Sequence, residues 1–120
     1  MWICLNDAFL SIIQPKPGDA AAAGVDPKTH LLVRARRRGD IESLFPRAKV
    51  IELDGRDYQF RAYLPRKQVG DALASRVGQI EYTNFKGSVR SRPLHDAYMA
   101  VWGIMARLQP RAPYGERARN

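Results

Sequence analysis

The sequence predicts an α+β fold: a single-layer, mostly antiparallel sheet with helices packed on one face. Three observations point there. Two runs rich in β-forming residues flank Asp54-Gly55-Arg56-Asp57, an Asp-Gly signal for a hairpin turn. Leu31 to Arg36 alternates with the two-residue period of a strand, setting Leu31, Val33 and Ala35 on one face and Leu32, Arg34 and Arg36 on the other. Val69, Ala72, Leu73, Val77 and Ile80 recur at helical spacing after Pro65. With 120 residues, 45% of them hydrophobic and 27% charged, the chain has ordinary globular composition and room for one core.

Taken in order, Trp2 to Ile13 reads as two short strands around Asn6-Asp7, residues that tolerate the left-handed backbone of a tight turn. Pro15 to Thr29 holds three prolines, two glycines and four consecutive alanines, the composition of a loop with a short helical stretch. After the strand 31–36, Asp40 is placed to cap a helix through Phe45 that carries Ile41 and Leu44 and stops at Pro46. Strands 49–53 and 58–64 follow, the second with Tyr58, Phe60, Ala62 and Leu64 inward and Gln59, Arg61 and Tyr63 outward. Pro65 suits the first turn of a helix running to Gly78 or Ile80. Residues 81–92 show no sustained period. Pro93 opens a last helix to Gln109, in which Leu94, Tyr98, Val101, Met105 and Leu108 form an apolar stripe widened by Trp102 and Ile104.

The order β-α-β-β-α from residue 31 to 79 is the split βαβ, ferredoxin-like plan without its last strand. The N-terminal hairpin is expected to supply that edge. Residues 1–109 are read as one α+β domain, and 110–120 as a basic, flexible tail.

Charge supplies the functional lead. Twenty Lys and Arg, fifteen of them Arg, oppose twelve Asp and Glu for a net charge of +8. The excess lies beyond residue 33, since residues 1–33 sum to −1 while 34–76 and 77–120 sum to +5 and +4. A basic surface steers polyanions toward it, and the planar fork of Arg matches phosphate. Nucleic acid is therefore the first partner expected, although an Arg-rich and Ala-rich composition also serves solubility alone.

Two groups of residues could meet a single strand. Arg34, Arg36, Arg61 and Tyr63 share the sheet face predicted to lie away from the helices, where Arg neutralises phosphate and Tyr stacks on bases. Tyr82, Lys86, Arg90 and Arg92 lie in the irregular stretch leading to the helix at Pro93. The structural alternative for the first group is ion pairing with Glu52, Asp54 or Asp57. For the second it is a solvated loop anchored by Tyr82 and Phe85. Arg36-Arg37-Arg38 reads as a solvated corner.

Catalytic residues are few. His95 beside Asp96 is the one weak candidate for general acid–base work, with Arg90, Arg92 or Lys86 able to stabilise phosphate charge in a small nuclease. Cys4, the single cysteine, is expected to be a buried, inert thiol. The sequence holds no nucleotide fingerprint, no cofactor motif and no metal-ligand spacing. It also lacks an apolar run long enough to span a membrane and a basic, signal-like start, so a cytoplasmic location is expected.

The segments LLVRARRRGDIESLFPRAKV, DYQFRAYLPR, IEYTNFKGSV and HDAYMAVW resemble small bacterial proteins of unknown function, over most of residues 31–102. The resemblance implies a bacterial, cytoplasmic, single-domain protein and carries no site residue with it. The expectation is a non-enzymatic module that binds single-stranded RNA or DNA. Its alternatives are a protein-interaction module of adaptor, toxin or inhibitor type docking on an acidic partner, and a His95-dependent nuclease.

Overall fold

A computed structural model describes residues 1–111 of the chain. They fall into two compact units, Met1–Tyr82 and a second beginning at Thr83. The first contains β1 (Trp2–Cys4), β2 (Phe9–Ile13), α1 (Pro17–Ala23), β3 (His30–Ala35), α2 (Asp40–Leu44), β4 (Ile51–Glu52), β5 (Phe60–Pro65) and α3 (Arg66–Gly78). The second contains α4 (Phe85–Ser88) and α5 (Arg92–Ala106). From residue 112 onward, the tail expected from the sequence lies outside the described residues.

The fold is α+β, with one open five-stranded sheet in the order β1-β2-β3-β5-β4 and every neighbouring pair antiparallel. Strand β5 lies between β3 and β4, the split βαβ arrangement. The N-terminal hairpin lies on the other side of β3, filling the missing edge through β2. One face of the sheet carries Leu10, Ile12, Val33, Ala35, Phe60, Ala62 and Leu64, packed with Ile41, Phe45 and Val69 into a single core. Burying each large apolar side chain contributes roughly 1.5–3 kcal/mol, so these residues supply most of the drive to fold.

Several local expectations are corrected. Asn6 and Asp7 do turn the first hairpin, but neither has positive φ. Their side chains instead accept hydrogen bonds from Arg76 of α3, which ties the hairpin to that helix. Asp40 does not cap α2. Gly39, at φ +93, takes the cap position, and Asp40 is buried in the first turn. Pro65 ends β5 and caps α3 rather than opening it.

Only the first half of the α3 stripe is packed. Val69 is buried, and Ala72 and Leu73 pack against the core. Val77 and Ile80 are exposed, because the inward position in the last turns goes to Arg76 and its contacts with the hairpin. Strand β4 shrinks to Ile51–Glu52, since the chain leaves the ladder at the wide 53–59 loop. The alanine run becomes α1, closed by Gly24 in the left-handed conformation.

In the second unit, the stretch without a period forms a single turn, α4, capped by the Asn84 side chain at the Gly87 N–H (3.4 Å). Ser91 caps α5 at the Leu94 N–H (3.4 Å), with Pro93 in the first turn. The rings of Phe85 and Tyr98 lie 5.5 Å apart. Along the α5 stripe, Leu94 and Tyr98 are buried while Val101, Met105 and Leu108 are exposed.

Candidate functional site

The strand register sets Ser11, Arg34, Arg61 and Ile51 in one row across β2, β3, β5 and β4. Arg34 and Arg61 are directly opposed at the centre of the sheet. Like charges in that relation are destabilising, and their side chains diverge. Arg34 turns toward β2 and donates through Nη2 to Ser11 Oγ at 2.6 Å. Arg61 turns the other way, donating through Nε to the Tyr58 carbonyl (3.2 Å) and through Nη2 to the Asp57 carbonyl (2.7 Å).

Tyr58 is the hub of the cluster. The guanidinium of Arg34 lies 4.4 Å from the centre of its ring and that of Arg36 lies 4.1 Å away, so two cations share one aromatic group. Alternation had placed Tyr58 inward with Phe60, Ala62 and Leu64. It is indeed buried, but outside that core and among the arginines. The cause is its backbone, at φ +55, which is rare for a bulky residue and breaks the two-residue period just before β5 begins.

Arg36 also donates through Nη1 to Asp57 Oδ1 at 2.8 Å. That hydrogen bond, reinforced by the carboxylate's charge, pushes the Arg36 pKa further up. Of the ion pairs expected to quench the group, this is the one that forms. Among the described residues, Arg34 and Arg61 donate only to uncharged acceptors. The Nε–H of Arg34 is buried with no hydrogen-bond partner, a state that costs about 1–3 kcal/mol. Tyr63, two residues beyond Arg61 and opposite Leu32, lies on the same face. Arg34, Arg61 and Tyr63 are all half-buried, so each still has surface to offer a ligand.

The Arg36–Arg38 run is solvated at Arg36 and Arg38, as expected, but its members are paired. Arg37 closes on Asp40, while Arg38 pairs with Glu52 at 2.7 Å and lies 5.0 Å from the Phe60 ring. Of the second predicted group, Tyr82 ends the first unit, and Lys86, Arg90 and Arg92 belong to the second. Lys86 lies 4.6 Å from the Trp102 ring, Arg90 is exposed, and Arg92 is 3.6 Å from Asp96. His95 Nδ1 is 3.3 Å from Asp96 Oδ1, which gives a histidine–carboxylate contact on one turn of α5.

Asp57 meets its expectation as an ion-pair partner, whereas Tyr58, which alternation assigns to the core, is the organiser that sequence reasoning misses. No local signal marks a tyrosine for left-handed backbone. Cys4 was expected to be buried and is exposed, because Ile3 is the β1 residue that packs on the core. Among the described residues, no group of three or more His, Cys, Asp or Glu could hold a metal ion, and no helix is long and apolar enough to cross a membrane.

No protein-family model matches the chain, and no curated protein or solved structure does either.

Proposed function

We propose that the first unit binds single-stranded nucleic acid on the sheet face bearing Arg34, Arg36, Arg61 and Tyr63. The observation that carries this reading is the direct opposition of Arg34 and Arg61 with, among the described residues, no carboxylate on either. The fold bears the repulsion of two opposed cations and a buried, unpartnered N–H at one spot, and such costs collect where a site is pre-organised for a ligand. A phosphodiester lying over the row would relieve the repulsion, with Tyr63 as a stacking ring beside it. The test is binding of labelled single-stranded and duplex RNA and DNA across a salt series, against an unrelated protein of equal charge. Single-strand preference above that control, lost in Arg34→Ala and Arg61→Ala, is the expected result. Parity with the control refutes the reading.

A second reading, a module docking on an acidic protein, draws on the exposed Val101 and Met105 of α5 and Leu108 just beyond it. It is distinguished by a partner that survives moderate salt and by the absence of strand preference. Following strand integrity in the same tubes tests the His95 nuclease: turnover that disappears in a folded His95→Ala protein would establish it.

A further inference from the structure

We infer that Arg36 is a phosphodiester subsite masked by Asp57, whose carboxylate stands where a phosphate of the bound strand would sit. The inference rests on the nucleic-acid reading above and adds a specific element to it, an internal competitor.

The geometry supports a replaceable partner. The Arg36–Asp57 pair is open to water, with side-chain exposures of 56% and 71%. Exposed pairs of this kind contribute little to stability, so an incoming anion can displace the carboxylate at small cost. Asp57 engages one Nη1–H of a five-donor fork, and phosphate can engage two parallel donors. The Arg36 guanidinium is meanwhile held against the Tyr58 ring, which is buried and fixed, so it keeps its position when the carboxylate leaves. Asp57 holds Arg61 through its backbone carbonyl, a contact that does not depend on its side-chain charge. One residue thus positions one arginine of the row with its main chain and masks another with its side chain. No other carboxylate among the described residues contacts the cluster around Tyr58.

Asp57→Asn removes the competing charge and keeps both shape and carbonyl. Asp54→Asn is the matched control: it makes the same change in net charge three residues away, at a carboxylate that accepts from Gln59 and from no arginine. The probe is a fluorescein-labelled oligothymidylate of about 12 nucleotides, within the span such surfaces cover, titrated by anisotropy with full-length protein at several salt concentrations. Asp57→Asn is expected to bind roughly 2- to 5-fold tighter than wild type. Its slope of log affinity against log salt should steepen by about 0.7, one extra phosphate contact on a single strand. Asp54→Asn should leave the slope unchanged, and Arg36→Ala should abolish the gain in the Asp57→Asn background. Circular dichroism confirms that each variant is folded.

Equal gains in both Asn variants, or no gain, would overturn the masking while Arg61→Ala still abolishes wild-type binding and the nucleic-acid reading stands. Indifference of wild-type binding to Arg34→Ala and Arg61→Ala, or no binding by wild type and Asp57→Asn alike, overturns both. Wild-type binding no better than the equal-charge control overturns both, whatever Asp57→Asn does.

Discussion

Arg37 closes on Asp40 through both Nε and Nη2, the shortest contact being 2.8 Å, and the same buried carboxylate accepts the backbone N–H of Phe9 at 3.1 Å. One acidic side chain thus joins the start of α2 to β2 and to the corner after β3. Removing its cation leaves a buried carboxylate with a single neutral donor. Arg37→Ala should cost about 2–3 kcal/mol, below the range for fully buried pairs because Arg37 itself is partly exposed. Asp40→Ala should cost about 1–3 kcal/mol through the orphaned Phe9 N–H. Urea unfolding midpoints measure both, and midpoints equal to wild type would show the clip to be inert.

Tyr58 makes an unusual ordering of variants testable. Its ring is buried and packed against two guanidiniums, so Tyr58→Ala and Tyr58→Gly should both destabilise. At φ +55 an alanine pays the left-handed penalty and a glycine does not. Tyr58→Gly should therefore be more stable than Tyr58→Ala by about 1 kcal/mol, the reverse of the order in ordinary strand or helix positions. Alanine as the more stable variant would show that the backbone is not left-handed there.

The α3 stripe divides into two halves with opposite sensitivity. Val69→Ala should cost about 2 kcal/mol, near the low end of core truncations. Val77→Lys and Ile80→Lys should stay within about 0.5 kcal/mol of wild type, as exposed positions do. A large loss at Ile80 would mean that this turn is packed in solution.

Cys4 is solvent-accessible, yet partial burial pushes its thiol pKa up. Burial disfavours the charged form, so the folded state binds the proton more tightly than the unfolded chain does. Stability from this group is fully present below the unfolded pKa and is lost as pH rises through the folded one. Alkylation by iodoacetamide at pH 8 should be slower than for an unstructured cysteine, with its pH midpoint above that of the unstructured thiol. A midpoint below that value would contradict the desolvated setting.

Much of the fold was legible because it depends on short-range pattern. Alternation in residues 31–36 put Arg34 and Arg36 on one face, and alternation from Phe60 onward put Arg61 and Tyr63 on the same one. The hidden part depends on distant partners and on one backbone angle. Asp40 reads as a cap until Phe9, 31 residues earlier, is seen to donate to it. Nothing local marks Arg76 as a partner of Asp7, 69 residues away. Tyr58 reads as core because periodicity assumes an unbroken strand, and its positive φ has no signature in composition.

The sheet ends in three-residue β1 on one side and two-residue β4 on the other. So short a margin offers too few unpaired N–H and C=O groups to recruit another strand, and Glu52 adds a charge at the β4 side. Short edges of this kind disfavour growth by sheet extension, whether into a fibril or by annealing a peptide. A further strand pairing at either border would find a ladder of at most three residues.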